Sequence, residues 1–213
     1  MPIDMCEAHH GATDCRSGDR FVFKAHLTDH INCFQSLMAE LAQIEALGLR
    51  LRQTVARGNI IFVCGNGGSA ADAQHFAAEV VGRLRAERRA LAAVALTTDT
   101  SILTALANDY GYEAVFARQV EALARSGDAL IGLSTSGNSP NVLSAVAAAE
   151  AKGLSTFALT GAGGGKLSEV VANTVKVPSR NTQRIQEAHI FILHCWATAI
   201  EQLAHEPTAK TDF

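Results

Sequence analysis

The stretch VCGNGGSAADAQHFAAE at residues 63–79 contains the pattern that indicates the fold most clearly. An apolar run ends at Cys64, a glycine-rich turn follows, and a helix-forming pattern begins after the turn. A buried strand that leads through a glycine turn into a helix is typical of the strand–helix units of a parallel sheet. The helix carries His75 and Glu79 four residues apart, so both side chains project from one face about one turn apart.

The rest of the chain repeats this alternation. Five short apolar or β-branched runs begin at residues 60, 92, 129, 155 and 173: IIFVC, AAVAL, ALIGL, STFAL and NTVKV. Segments with helical periodicity separate most of them, which predicts a doubly wound α/β fold with five parallel strands. Helices are also predicted at residues 21–57 and 183–203, where apolar residues recur at helical spacing. These residues are Phe34, Leu37, Leu41, Ile44, Leu47 and Leu51 in the first segment, and Ile185, Ile192, Leu193, Trp196 and Ile200 in the second.

Length and composition limit the class of protein. The 213 residues are 48% hydrophobic, which suits one globular domain, predicted at 21–205 between flexible tails at 1–20 and 206–213. The net charge of -3 comes without a basic stripe, so no nucleic-acid partner is expected. No apolar run approaches the roughly 20 residues of a membrane span, and no signal-peptide pattern is visible, so we expect a cytoplasmic protein with no membrane partner. The five cysteines are odd in number and irregularly spaced, so no disulfide framework is expected.

A hydroxyl-rich loop follows the third predicted strand. It places Ser134, Thr135, Ser136 and Ser139 within six residues, just before Pro140 at the start of a predicted helix. Hydroxyls and free backbone N–H groups at a helix N-terminus bind anions, which favours a phosphoryl group as ligand, although serines also cap helices and fill turns. The glycine-rich loop at residues 65–69 and the loop LTGAGGGKL at 159–167 should share one crevice with it, because all three follow parallel strands.

Nucleotide binding is the main alternative for the glycine-rich loop. Gly65, Gly67 and Ala70 fit a relaxed G-x-G-x-x-A fingerprint, and Asp99 follows the second strand as a ribose-binding acid would. This match is weak, because it leaves the serine-rich loop unexplained. A phosphate-binding GxxxxGK[ST] motif fails near Lys166, where the required Ser or Thr is absent.

The final helix adds polar residues in RIQEAHIFILHCW. Gln186 and His194 lie about 80° apart around an α-helix, whereas His189 and His194 lie about 140° apart, so His189 should face elsewhere. Gln186 and His194 are also separated by about 12 Å along the axis, which is long for two ligands of one ion. Either the helix starts irregularly at Gln186, or different subunits supply different ligands. The pair of His75 and Glu79 likewise allows a metal or substrate site, or an ordinary surface pair.

Several long motifs together resemble the phosphoheptose isomerases, which are sugar-isomerase (SIS) domain enzymes. The motifs, which span residues 34–201, are CGNGGSAADAQHFAAE, TTDTSILTALANDYGYE, FARQVEALARSGDALIGLSTSGNSPNVL, LTGAGGG and VPSRNTQRIQEAHIFILH. The resemblance implies a three-layer, flavodoxin-like α/β/α core in a homotetramer. It also implies conversion of sedoheptulose 7-phosphate to D-glycero-D-manno-heptose 7-phosphate, the first step of ADP-heptose and lipopolysaccharide core precursor synthesis.

The resemblance also implies roles for individual residues. Glu79 and His194 match the family's acid–base residues, and a zinc ion would be bound by His75, Glu79, Gln186 and His194. The positions that match substrate-binding residues are Asn66, Gly67, Gly68, Ser69, Glu79, Asn108, Asp109, Ser134, Thr135, Ser136, Ser139 and Gln186. The alternative is a non-catalytic SIS-domain tetramer that binds the replication initiator DnaA or senses a sugar phosphate. The presence of Glu79 and His194 favours the enzyme.

Overall fold

The structure is a computed structural model that describes residues 18–205. The predicted C-terminal tail lies outside the described residues, and so does the predicted N-terminal tail apart from residues 18–20, which are helical. Helix α1 is Gly18–Leu37, a 3-10 helix follows at Met38–Glu40, and α2 is Leu41–Ala56. The helices predicted at the N-terminal end are therefore present, joined by one tight turn.

A five-stranded parallel sheet forms the centre of the molecule. The strands are β1 Ile61–Gly65, β2 Ala93–Ala95, β3 Ala129–Leu133, β4 Ser155–Thr160 and β5 Asn173–Lys176. Their order is β2-β1-β3-β4-β5, and every neighbouring pair is parallel. The prediction of five parallel strands is confirmed. In this order the chain reverses direction across the sheet between β1 and β3, and the crevice at the carboxyl ends of those two strands is where such folds bind ligands.

Helices cover both faces of the sheet. They are α3 Gly68–Val81, α4 Thr100–Tyr110, α5 Ala117–Leu123, α6 Pro140–Ala151, α7 Leu167–Val170 and α8 Thr182–Glu201, with 3-10 helices at Tyr112–Ala114 and Gln202–His205. Side chains alternate along β1: Ile61 and Val63 pack with α2, α3 and α8, whereas Phe62 and Cys64 pack with α5 and α6. Burial on both faces explains why β1 and β3, in the middle of the sheet, are continuous apolar runs.

The helices α2 and α8 pack together and position the end of the chain. Ile44, Leu47 and Leu51 of α2 are buried, and the indole nitrogen of Trp196 in α8 donates to the carbonyl oxygen of Ile44 at 2.8 Å. Leu41 was predicted in the same apolar stripe but is 41% exposed. The preceding 3-10 helix has three residues per turn, which shifts the angular phase of the stripe at Leu41.

The cysteines of the described residues are unpaired. Cys33, Cys64 and Cys195 are free, and burial raises the pKa of the Cys64 thiol to about 12, so this thiol is an inert part of the core. Within residues 18–205, we find no helix with both the length and the apolar content needed to cross a membrane.

Candidate active site

Helices α3 and α8 bring His75, Glu79 and His194 together. His75 Nε2 lies 3.1 Å from Glu79 Oε1, His194 Nε2 lies 3.4 Å from the same oxygen, and the two Nε2 atoms are 3.2 Å apart. His75 and Glu79 share one face of α3 because they are one turn apart. His194 is 115 residues away from Glu79 in sequence but faces it across the packed helices. The three residues of one chain therefore form a single cluster.

The cluster has the geometry of a metal site. Four ligands at the usual zinc distances of about 2.0–2.1 Å lie about 3.3 Å from one another in a tetrahedron, which is close to the three separations observed. Two imidazoles and one carboxylate also form a common zinc ligand set. Glu79 Oε2 is buried without a hydrogen-bond partner, so this carboxylate is incompletely satisfied by the residues around it. The donor set, its spacing and this unsatisfied oxygen fit a divalent cation.

Asp72 is a neighbour of this cluster that sequence analysis missed. Burial raises the pKa of Asp72 to about 6, and the nearby imidazoles of His75 and His194 offset part of that effect. Its Oδ2 is buried and has no hydrogen-bond partner. Asp72 lies three residues before His75 and seven before Glu79, so the helical spacing alone indicates a shared face. A second carboxyl group therefore contributes to the electrostatics of the cluster.

Gln186 lies two turns before His194 on a regular helix. Asn181 caps α8 by accepting a hydrogen bond from the backbone N–H of Gln183, so the proposed irregular helix start is wrong. The Gln186 side chain packs against the start of α3, where a Cβ on Gly68 would come within 2.5 Å of its Nε2. Gly68 therefore makes room for the amide of Gln186 beside the glycine-rich loop. The role of Gln186 as a zinc ligand stays a prediction.

His189 faces elsewhere, as the helical angles predict. It is completely buried, and its Nε2 lies 3.3 Å from the carbonyl oxygen of Thr160. Burial lowers the pKa of His189 to about 4, and the contact with Thr160 offsets part of that effect. His189 is therefore a neutral core histidine outside the cluster.

The serine-rich loop joins β3 to α6 and forms a connected set of hydroxyls. Ser134 Oγ lies 2.9 Å from Ser139 Oγ and 3.4 Å from Ser136 Oγ. Ser139 is the residue that precedes α6, but its hydroxyl forms no capping hydrogen bond within the helix. Ser136 is exposed, whereas Thr135 and Ser139 are half-buried. The Ser139 hydroxyl therefore does not cap α6. It contacts the Ser134 hydroxyl instead.

The glycine-rich loop and the serine-rich loop meet at the edge of the sheet. The side-chain amides of Asn66 and Asn141 exchange two hydrogen bonds, of 2.9 and 2.8 Å, across the boundary between β1 and β3. Tyr112 Oη donates to Asn66 Oδ1 at 3.1 Å. The third loop joins them, because Leu167 N donates to the carbonyl oxygen of Gly137. The three loops therefore adjoin at one edge of the sheet, as predicted, and Asn141 and Tyr112 connect them although the sequence reasoning did not single them out.

The remaining predicted site residues occupy the glycine-rich loop, the first turn of α3 and the two ends of α4. Gly67, with φ of 56°, and Gly68 are exposed, whereas the Ser69 side chain is 3% exposed and faces Gly65. Asn108 and Asp109 are exposed in the last turn of α4 and hydrogen-bonded to each other at 2.8 Å. Asp99, weighed as a ribose-binding acid, caps α4 by accepting from the backbone N–H of Ile102. Its carboxylate therefore has a structural role.

We expect Gly137→Ala to reduce the free energy of unfolding by at least about 2 kcal/mol, measured by chemical denaturation. Gly137 has φ of +68°, and an added Cβ would overlap the carbonyl oxygen of Gly164. The matched control is Gly163→Ala, because no atom lies within 4 Å of a Cβ at Gly163. This control should change the free energy by less than about 0.5 kcal/mol. Equal stability of the two variants would contradict the close packing of the two loops.

Comparison with known proteins identifies the family. The family model of the SIS domain matches residues 27–161. A phosphoheptose isomerase of Trichlorobacter lovleyi is 52% identical over 177 residues, which are 83% of this chain and 90% of that protein. The chain belongs to the phosphoheptose isomerase family. A family member from Roseiflexus is 53% identical over 81% of this chain and 87% of its own length.

Solved structures of family members have the same fold. The phosphoheptose isomerase of Neisseria gonorrhoeae is 45% identical with a TM-score of 0.81, over 86% of this chain and 98% of that chain. The one from Francisella tularensis is 34% identical with a TM-score of 0.83, over 88% and 99%. The sequence resemblance and the SIS fold are thereby confirmed. These relatives give no support to the alternative of a DnaA-binding or sugar-sensing protein.

Proposed function

We propose that the protein is an aldose–ketose isomerase that converts sedoheptulose 7-phosphate to D-glycero-D-manno-heptose 7-phosphate. The observation that carries this proposal is the contact of Glu79 with His194 at 3.4 Å, in a chain whose serine-rich loop holds a connected set of hydroxyls. A carboxylate and an imidazole in contact can move protons between neighbouring atoms of a substrate. Phosphoheptose isomerases more than 50% identical to this chain support the same substrate.

The serine-rich loop suits the phosphate end of the substrate. At the end of β3, the Ser134 hydroxyl lies 3.4 Å from that of Ser136 and 2.9 Å from that of Ser139, and α6 begins immediately after Ser139. Hydroxyl donors and the N-terminal end of a helix stabilise a phosphate without a lysine. Asn66 and Asn141 connect this loop to the glycine-rich loop at the start of α3.

The proposed reaction moves protons without changing the oxidation state of the sugar as a whole. The Glu79 carboxylate removes the carbon-bound proton from C1 of the ketose, the electron pair forms a C1–C2 double bond, and the C2 oxygen accepts a proton from His194. The product of this step is a cis-enediol. His194 then takes the proton of the C1 oxygen, and Glu79 returns its proton to C2, which gives the aldose. Each positioned group typically contributes about 10²- to 10⁴-fold to the rate.

Zinc is the metal that we propose for the cluster of His75, Glu79 and His194, with Gln186 of another subunit as a further ligand. When bound there, zinc would supply Lewis-acid polarisation of the sugar oxygens, and Glu79 and His194 would serve as ligands and as proton carriers in turn. The residues of the chain orient the substrate and move its protons, and His75 completes the ligand set on the same face of α3 as Glu79.

Direct assay of the purified protein tests the proposed function. Sedoheptulose 7-phosphate is incubated with zinc-loaded protein, and the aldose 7-phosphate is followed by NMR. Unphosphorylated sedoheptulose serves as the control substrate, because it cannot use the serine-rich loop. We expect turnover of the phosphate ester alone. Absence of turnover in folded, zinc-loaded protein would overturn the proposal.

Removal of the metal should abolish most of the activity. Dialysis against a chelator is expected to lower kcat more than about 10-fold, and zinc should restore it at one ion per chain. Zinc content is measured by mass spectrometry before and after dialysis, which provides a result independent of turnover. Retention of full activity at less than one-tenth of an ion per chain would show that the reaction does not require the metal.

We also propose a homotetramer in the cytoplasm that supplies precursors of ADP-heptose and the lipopolysaccharide core. Val22, Phe23, Leu27 and Ile31 of α1 are 45–74% exposed, and such an apolar stripe favours association with further copies. The free Cys33, Cys64 and Cys195 suit a reducing compartment. The domain limits at 21–205 and the substrate-binding roles of Asn108 and Asp109 belong to the same proposal.

A further inference from the structure

Arg88 is a buried arginine in the segment between α3 and β2. Its side chain is only 1% exposed. Nη2 donates to the backbone carbonyl oxygen of Glu79 at 2.7 Å, and Nη1 donates to the carbonyl oxygen of Arg89 at 3.0 Å. Nε lies 3.7 Å from Oε1 of Glu201, the last residue of α8. A desolvated guanidinium thus connects the end of α3 to the end of α8.

Glu201 is the second half of this connection. It is 6% exposed, and its carboxylate accepts hydrogen bonds from the backbone N–H groups of Leu84, Arg85 and Ala86 at 2.9–3.3 Å. Burial alone would raise the pKa of Glu201, but these donors and Arg88 outweigh it and lower the pKa. The carboxylate is therefore ionised, and it fixes the segment that leaves α3.

The carbonyl group to which Arg88 donates, that of Glu79, is in the last turn of α3. The helix ends at Val81, so the carbonyl groups of its last four residues lack partners within the helix. Gly82 N donates to the carbonyl oxygen of Ala78 at 2.9 Å, and Arg88 satisfies that of Glu79. Helix ends fray first when such groups are left free. Glu79, the proposed base, is in this terminal turn.

We propose that Arg88 and Glu201 form a positioning clip for the acid–base pair. Arg88 holds the terminal turn of α3, which carries Glu79, and Glu201 anchors Arg88 and the following segment to α8. His194 lies on α8 two turns before Glu201. The clip therefore fixes the position of Glu79 relative to His194 without touching the substrate. Its catalytic consequence rests on the proposed isomerase function.

The conservative variant Arg88→Lys gives the sharpest test. Lysine keeps the positive charge beside Glu201, but one ammonium group cannot reproduce the planar fork that reaches two carbonyl oxygens. We expect kcat to fall about 10- to 100-fold with KM changed less than about twofold, because the base is displaced while substrate binding persists. Hydrogen exchange at the Gly82 amide, which reports the terminal turn, should accelerate at least about tenfold. The control is Arg89→Lys at the exposed neighbouring arginine, which should change neither kcat nor hydrogen exchange at the Gly82 amide.

The double variant Arg88→Met/Glu201→Gln removes both charges together, so no unpaired buried charge remains, and it should show the same two changes. Wild-type kcat and Gly82 exchange in Arg88→Lys would overturn the clip. A lower kcat with unchanged Gly82 exchange would also overturn it, since the effect would not pass through the terminal turn of α3. If the wild-type protein does not isomerise sedoheptulose 7-phosphate, the proposed function fails alone, and Gly82 exchange still decides whether the clip holds α3.

Discussion

Glu79→Gln is expected to lower kcat for sedoheptulose 7-phosphate about 10³- to 10⁴-fold while KM changes little. The amide keeps the shape of the side chain but cannot accept the carbon-bound proton. It also removes the negative charge that lies 3.1 and 3.4 Å from the two imidazoles. The free energy of unfolding should not fall, because the carboxylate has a buried oxygen without a partner and its charge carries a desolvation cost. Steady-state kinetics and chemical denaturation check both expectations.

Glu87→Gln is the matched control for this variant. Glu87 pairs with Arg83, which is four residues away, and the side chains of Glu87 and Arg83 are 85% and 62% exposed. Exposed pairs of this kind contribute about 0–1 kcal/mol, so the control should retain wild-type kcat and stability. Glu79→Gln with kcat within tenfold of the wild type would remove Glu79 as the base.

His194→Gln should cause the second large loss. We expect kcat to fall about 10²- to 10³-fold, because glutamine cannot carry a proton between the two substrate oxygens. The dissociation constant of zinc should rise more than about 100-fold. This is more than the loss of a residue that only hydrogen-bonds to a metal ligand usually causes. Stopped-flow or NMR kinetics measure the first effect, and competition with a chromophoric chelator measures the second.

The control for the loss of an imidazole is His30→Gln. His30 of α1 pairs with Glu187 of α8: its Nδ1 lies 2.7 Å from Glu187 Oε2, and both side chains are more than one-third exposed. Its removal should leave zinc affinity unchanged and lower kcat less than about twofold. If His194→Gln behaves like this control in both measurements, His194 is neither an acid–base group nor a ligand.

The sheet could be predicted from sequence because its strands are buried on both faces. Each of the five apolar runs overlaps the observed strand, with ends that differ by no more than one residue, and ALIGL coincides with β3. The parallel direction of the strands places the loops that follow β1, β3 and β4 at one edge of the sheet, where they adjoin. The turn between α1 and α2 was less predictable, because apolar periodicity continues through a 3-10 helix that changes the direction of Leu41.

The site was only partly predictable. Helical spacing identified His75 and Glu79 and excluded His189, but nothing in the spacing of residues 79 and 194 fixes their distance, which depends on how α3 packs on α8. Arg88 lies in the run RLRAERR, which is indistinguishable in sequence from a solvated charged segment. Its partner Glu201 is 113 residues away. Asn141, which is buried and paired with Asn66, gives no signal either, because asparagine is common at the starts of helices.

Solvent exchange during turnover shows whether Glu79 carries the carbon-bound proton between C1 and C2. The reaction is run in D₂O and the aldose product is examined by NMR and mass spectrometry. A proton held on a carboxylate exchanges with solvent, so we predict deuterium at C2 of the product and loss of this labelling in Glu79→Gln. Product that forms at the wild-type rate in Glu79→Gln, with deuterium still incorporated at C2, would show that another group carries the proton.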